Sequence, residues 1–373
     1  MHKWRYHNPV KIHFGHGIIK DLPGLVGPHN AILITTPGSS KRGTTDLLRQ
    51  LLGNSLVAVF DEVQPNPTFT SVKEAVNNLK QFKYDNIIAL GGGSTIDTAK
   101  AVAAIGATGN ENWLEDHLKS AALFPEPFKP KPIVAIPTTA GTGSDVTMWA
   151  TIWDMKEKKK YSLSHPLLYP AKSLLDPELS LTLPEKETIY SGLDALSHAM
   201  ESIWNKNHNP ISDTFALTAI SLIHKYLAEL KSDLTNLDLR AQILRASLFA
   251  GLAFSNTKTA LAHSISYPLT SYFGLPHGLA CALPLPYILK FYNAQMLQSK
   301  NKTRAKLTDN ITEKQLTSFF SVLGVPLALK DCKISKSELG NIISDCLTPE
   351  RANNYIFEIK VEDVHKIVLD MYG

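Results

Sequence analysis

NIIALGGGSTIDTAK, Asn86–Lys100, runs from an apolar strand into three glycines and then into a helix-forming segment. Glycine accepts positive φ and lets a backbone come close to a ligand or a neighbouring chain segment. The helix start that follows offers free N–H groups and a positive dipole end, which suit a phosphate. Ser94 and Asp97 stand at capping-box spacing, with Asp in place of the usual Glu. The same residues also describe an ordinary tight turn with a cap. The spacing is not GxGxxG, so the phosphate reading needs support from other segments.

A second loop supplies it. IPTTAGTGSD, Ile136–Asp145, also leaves an apolar strand and is rich in glycine and small hydroxyl residues. Two such loops at strand C-terminal ends can converge on one pyrophosphate. Further outward, the strands AILIT (Ala31–Thr35), LVAVF (Leu56–Phe60), IIAL (Ile87–Leu90) and IVAIP (Ile133–Pro137) alternate with helical runs. The first of these runs is a Gly/Ser loop followed by SKRGTTDLLRQLL; TFTSVKEAVNNLKQF and IDTAKAVAAIGA are the others. This alternation predicts a parallel sheet covered on both faces. From about Leu183 the chain reads as helices, and LLDPELSLTLPE marks the break. The expectation is an α/β dinucleotide-binding domain over residues 1–180 and an all-α domain over residues 181–373.

The chain has 373 residues, which accommodates two domains. Hydrophobic residues at 44% and charged residues at 19% argue for a large core and against disorder. The net charge of +4 is spread thinly, its one run being Lys156–Lys160, read as a solvated face. Nucleic acid is therefore not an expected partner. The three cysteines, Cys281, Cys332 and Cys346, form no CxxC pair, which argues against a disulfide framework or a cysteine metal site. No apolar run reaches the roughly 18 residues of a membrane span, and a reducing cytoplasm is the expected setting.

In GLDALSHAMESIW (Gly192–Trp204), Asp194 and His198 lie four apart on one face of an otherwise apolar helix. His263 ends a helical run, and His277 sits in a Gly/Pro loop before the next apolar segment. Three imidazoles and one carboxylate make a divalent metal site with positions open for water or substrate. The alternative is a salt-bridged helix pair and two loop histidines. The apolar setting favours the metal, because a buried charge requires a partner. Glu201, one turn beyond His198, supports that site or is a helix charge.

In order, GGGSTIDTAK, PTTAGTGSDVT, KKKYSL…LLDPEL, GLDALSHAMES and HSISYPLT…GLPHG closely resemble the iron-containing (group III) alcohol dehydrogenase family, over about residues 8–300. The resemblance implies a dehydroquinate synthase-like architecture, a homodimer, and one metal, usually Fe(II) and sometimes Zn(II). Asp194, His198, His263 and His277 fall on its ligand positions. Gly91, Gly92, Gly93, Ser94, Asp97, Thr138, Thr139, Thr142, Ser144 and Lys160 fall on its cofactor-contacting positions. The implied reaction is hydride transfer between NAD(P)H and a small aldehyde or alcohol. A dehydroquinate-synthase-like lyase and a non-catalytic binding protein are the rival readings.

Three further expectations are specific to this chain. Gly38 and Ser40, followed by Lys41 and Arg42, leave room and positive charge for a 2′-phosphate after the first strand, so NADPH is an expected cofactor. Tyr267 stands where many members of the family carry a further histidine that relays the alcohol proton. ESIWNKNHNPIS (Glu201–Ser212) and FSNTKTALAHSISYPLT (Phe254–Thr270) look most like the phosphonoacetaldehyde reductase branch. For such a substrate Lys258, five residues before His263, is the expected phosphonate-binding cation, the alternative being a solvent-facing lysine at a helix start, and Trp149 can wall a pocket for short substrates.

Overall fold

A computed structural model describes residues 3–298, 311–340 and 343–373. The chain divides into two compact units. One comprises Asn8–Thr139 and Gly143–Thr182. In the other, Met1–His7 and Ala140–Thr142 cluster with Leu183–Gly373.

The first unit is built on six parallel strands, β1 (Lys11–Phe14), β2 (Ala31–Thr35), β3 (Leu56–Phe60), β4 (Asn86–Gly91), β5 (Ile133–Pro137) and β8 (Lys172–Leu175), in the order β1-β8-β5-β4-β2-β3. Its helices are α1 (Leu22–Val26), α2 (Pro37–Lys41), α3 (Thr44–Leu52), α4 (Phe69–Leu79), α5 (Gly93–Thr108) and α6 (Trp113–Ser120). Strand side chains alternate between faces, and both faces are apolar. Ile32, Ile34, Ile87 and Ala89 pack with Val72 and Val76 of α4 and Ile96 and Val102 of α5. Ala31, Leu33, Ile88 and Leu90 pack with Leu22 and Val26 of α1 and Leu48 and Leu52 of α3. Each fully buried Leu or Ile contributes roughly 1.5–3 kcal/mol of transfer free energy, so two-sided burial accounts for the near-continuous apolar strands.

The chain passes from β2 outward to β3, then returns to the other side of β2 as β4. The C-terminal ends of β2 and β4 thus flank the point where strand order reverses, the position at which open α/β sheets bind ligands. Gly38 and Ser40, in α2, follow the end of β2, and Gly91–Gly93 make the turn from β4 into α5.

Some local expectations are corrected. The Gly/Ser segment after β2 is the short helix α2, started by Pro37 and capped by Thr36, whose side chain accepts from the Ser39 N–H. The helix read through SKRGTTDLLRQLL breaks at Arg42–Gly43, where Gly43 takes φ 77°. Strands β1 and β8 are too short for a sequence signal. The lysine run lies at the turn and start of an antiparallel hairpin, β6 (Trp149–Asp154) with β7 (Lys159–Ser164).

The helical unit contains α7 (Glu185–Ile203), α8 (Pro210–Ser232), α9 (Leu237–Thr257), α10 (Leu261–Phe273) and α11 (His277–Ala282), with shorter helices following. Asn209 accepts from the Ile211 and Ser212 N–H groups and makes a capping box with Ser212, with Pro210 in the first turn. Helix α7 packs against α8, α9 and α11. His263 does not end a helix; it lies in the first turn of α10. Nor is His277 in a loop: it opens α11, with Pro276 as N-cap.

The α7–α11 contact is unusually close. A Cβ on Gly278 would stand 1.9 Å from the Tyr190 carbonyl oxygen and 3.3 Å from Asp194 Cβ. Only glycine lets α11 sit there, and His277 is held at α7 by that approach. Gly278→Ala should displace α11, cost about 1–3 kcal/mol of stability as overpacking does, and impair metal retention. Thermal unfolding together with elemental analysis checks this; a variant with wild-type Tm and metal content would refute it.

Candidate active site

Asp194, His198 and Glu201 occupy i, i+4 and i+7 on α7 and face the core. Asp194 Oδ1 is the hub of the cluster. It lies 3.9 Å from His198 Nδ1, 3.7 Å from His263 Nε2 and 3.9 Å from His277 Nε2. These separations are too long for hydrogen bonds. They suit donors sharing one ion at about 2.0–2.2 Å each, which lie at most about 4.4 Å apart. Asp194 Oδ1, His198 Nδ1 and His263 Nε2 are buried and have no hydrogen-bond partner. Orphaned buried acceptors at one point fit a cation, and an imidazole–carboxylate donor set suits Fe, Zn, Co or Ni. Of the four residues anticipated from the sequence, Asp194, His263 and His277 have ligand atoms within 4.8 Å of one another, and His198 lies 3.9 Å from Asp194 but outside that mutually close group.

The surroundings fix protonation and orientation. Burial pushes the Asp194 carboxyl upward, but the three imidazoles outweigh it and hold it well below the usual carboxylate range. Asp194 is thus an anion at any working pH. Burial lowers His198 to about 4 despite Asp194, leaving a neutral ring with a lone pair. His198 also bonds the Gly141 backbone and stacks on Phe254 at 4.1 Å.

Glu201 is more than a helix charge. It is fully buried and accepts from the N–H groups of Ala262 (2.6 Å) and His263 (3.1 Å). Its other oxygen meets His263 Nδ1 at 2.5 Å. This carboxylate fixes the start of α10 and the tautomer of His263, directing Nε2 at Asp194. Burial disfavours charge on His263, but Cys281 and Glu201 oppose it and raise its pKa overall. Cys281, one turn beyond His277 on α11, is fully buried and was not anticipated from the sequence. Asp194, His263, His277 and Cys281 offer ligand atoms all within 4.8 Å of one another.

His277 keeps 31% of its side chain exposed, so the centre borders solvent on that side. The Tyr267 ring stacks alongside His277 at 6.3 Å, and the Arg351 guanidinium carbon lies 4.4 Å from the Tyr267 ring centroid. Arg351, in the short helix Pro349–Ala352, has a side chain only 13% exposed and pairs with the exposed Glu350 at 3.6 Å. Nothing in the sequence tied Arg351 to Tyr267. Lys258 is exposed and caps the end of α9 at φ 69°, not a helix start.

In the sheet unit, the Gly91 and Thr138 loops adjoin. The Thr138 N–H donates to the Gly91 carbonyl (3.0 Å), and Thr139 flanks Gly92. A Cβ on Gly91 would stand 2.3 Å from Thr95 Oγ1, so the strand-to-helix turn requires glycine. The capping box expected of Ser94 and Asp97 does not form, because α5 begins at Gly93 with Gly92 as N-cap. Ser94 Oγ instead accepts from the Asn66 N–H. Asp97 accepts from Ser144 Oγ (2.5 Å) and the Thr151 N–H (2.8 Å). Lys100, fully buried, donates to the Ser144 carbonyl and hydroxyl and to the Trp149 carbonyl. Burial lowers Lys100 to about 8, against Asp97 and Asp145. The Asp97–Lys100 pair thus pins the second loop to α5. Lys160 lies on β7, 5.5 Å over the Trp153 ring. Thr142 falls in the helical unit. Ser40 Oγ donates to Asp61 (2.6 Å), beyond β3, and the Arg42 guanidinium lies against Gly38.

Residues 9–177 match the family model for iron-containing alcohol dehydrogenase, and residues 188–372 match that for the C-terminal region of the Fe-containing alcohol dehydrogenase family. The NADPH-dependent butanol dehydrogenase of Clostridium saccharobutylicum is 33% identical over 360 residues, 93% of this chain and 91% of that protein. The solved structure of sulfoacetaldehyde reductase from Bifidobacterium kashiwanohense in complex with NAD+ is 30% identical and superposes at a TM-score of 0.90 over the whole of both chains. A solved 1,3-propanediol oxidoreductase is 27% identical, at a TM-score of 0.87 over both whole chains. The chain belongs to the iron-containing alcohol dehydrogenase family, with its parallel-sheet and helical domains, and is an oxidoreductase acting on CH–OH groups.

His263→Ala should abolish metal retention. Glu201→Gln, which keeps the packing but weakens the brace on His263, should lower metal affinity about 10–100-fold. Elemental analysis after dialysis reads both; full occupancy in His263→Ala would remove it from the donor set.

Proposed function

We propose that this dehydrogenase interconverts a short aldehyde bearing an anionic tail, phosphonoacetaldehyde, with its alcohol, using NAD(P)H. The observation that carries this reading is Arg351, a largely buried cation on the Tyr267 ring beside the ligand His277. A guanidinium there suits a tetrahedral oxyanion tail, which it can bind through two parallel N–H donors. The similarity to sulfoacetaldehyde reductase supports the same class, since a sulfonate tail is also a tetrahedral oxyanion.

A divalent ion at Asp194 supplies Lewis-acid polarisation of the carbonyl, and the nicotinamide supplies hydride. The residues of the chain provide the setting. Asp194 remains ionised, and Glu201, meeting His263 Nδ1, keeps Nε2 directed inward. Arg351 holds the tail, and the short bridge of a two-carbon aldehyde then fixes the carbonyl near the histidines. Tyr267 acts as the platform for Arg351, and the product alcohol takes its proton through water. The glycine turn of β4 and the Thr138–Thr139 loop receive the dinucleotide phosphates. Arg42 beside Gly38 provides charge for a 2′-phosphate, while Asp61, held by Ser40, suits a ribose hydroxyl, so both cofactors are accepted.

Arg351→Ala should raise KM for phosphonoacetaldehyde by roughly 10- to 150-fold, the value of one charge-assisted contact, and leave propanal nearly unchanged. Lys258→Ala, removing an exposed charge, should raise it by less than about fivefold. Steady-state kinetics on both aldehydes decide this; equal losses on both for Arg351→Ala would contradict the tail assignment. For the cofactor, Arg42→Ala should raise KM for NADPH about 10-fold, as loss of an ionic hydrogen bond implies, and leave NADH nearly unaffected. Equal changes for both would remove Arg42 from the 2′-phosphate.

A further inference from the structure

We propose that the sulfur of Cys281 is a further donor to the metal, in addition to Asp194, His198, His263 and His277; this rests on the reading of the cluster as a metal centre. His277 and Cys281 sit at i and i+4 on α11, so both project from one side of the helix. Cys281 Sγ lies 3.7 Å from each ring nitrogen of His277 and belongs to the group of ligand atoms within 4.8 Å of one another. A sulfur at about 2.3 Å and a nitrogen at about 2.1 Å from one ion are up to about 4.4 Å apart, so small adjustments bring the sulfur onto the ion that its neighbours in the group share. Asp194 and His263 are 3% and 2% exposed, and their Oδ1 and Nε2 atoms lack hydrogen-bond partners. These two atoms, 3.7 Å from each other, border the same space as the sulfur.

The consequence is chemical. On binding, the thiol releases its proton to solvent and the sulfur ligates as thiolate. A soft sulfur beside imidazoles favours Zn(II) and Co(II) over Fe(II), relative to an all-nitrogen-and-oxygen site. Cys332 and Cys346 are not in the cluster.

The test uses the full chain, stripped of metal, kept reduced and titrated with Co(II). The wild type should develop a near-ultraviolet sulfur-to-cobalt charge-transfer band, saturating at one ion per chain. Cys281→Ser and Cys281→Ala should both still take up cobalt by elemental analysis but lose the band, and Cys332→Ser should retain it. Using both replacements keeps the test valid if one of them packs poorly. Bound cobalt without the band in the wild type, or a band surviving in both Cys281 variants, would overturn the assignment. If even the wild type takes up no cobalt, the metal reading itself fails, and the role of Cys281 falls with it.

Discussion

An ionised carboxylate shut away from water costs several kcal/mol unless a cation meets it. Asp194 is buried, anionic, and surrounded at 3.7–3.9 Å by imidazole nitrogens that do not hydrogen-bond to it. The helical unit is arranged around satisfying that charge. Helix α7 delivers the carboxylate and one imidazole. The Glu201 brace aims the second imidazole from α10, and the close approach at Gly278 brings the third on α11. Without a cation, this part of the core would hold unpaired polar atoms where apolar packing is otherwise continuous.

The sheet unit answers a different constraint, that of bringing two backbone loops close together. Glycines at the β4 turn allow the approach, and strand order reverses next to it. The buried Lys100 and Asp97 hold the following loop in place. Ser144 donates to Asp97, which also accepts from the Thr151 N–H, and Lys100 donates to Ser144, so these residues shape the loop from within.

The strands Ala31–Thr35 and Ile133–Pro137 were legible because burial on both faces writes a continuous apolar run, and the partly buried edge strand Leu56–Phe60 is apolar throughout as well. Strands β1 and β8, at four residues each, carry too little pattern, and β1 begins with exposed residues. Asp194 and His198 were legible because helix periodicity sets them on one apolar face, and Glu201 extends that face by one turn. His263 and His277 were legible as members of one cluster with Asp194, but their helices were not, since Pro276 and the reversal at Lys258 resemble loop. Cys281 stands at i+4 from His277, a spacing that no paired-cysteine motif marks. Arg351 reaches Tyr267 only through tertiary packing, which no local pattern encodes.

The most direct test of the metal centre is a crystal of the chain loaded with Fe(II) or Zn(II), with diffraction recorded above and below the metal absorption edge. One anomalous peak per chain should lie within about 2.0–2.3 Å of Asp194 Oδ1 and His263 Nε2. A fully loaded crystal with no peak there, and Asp194 bonded to water or protein donors alone, would contradict the account.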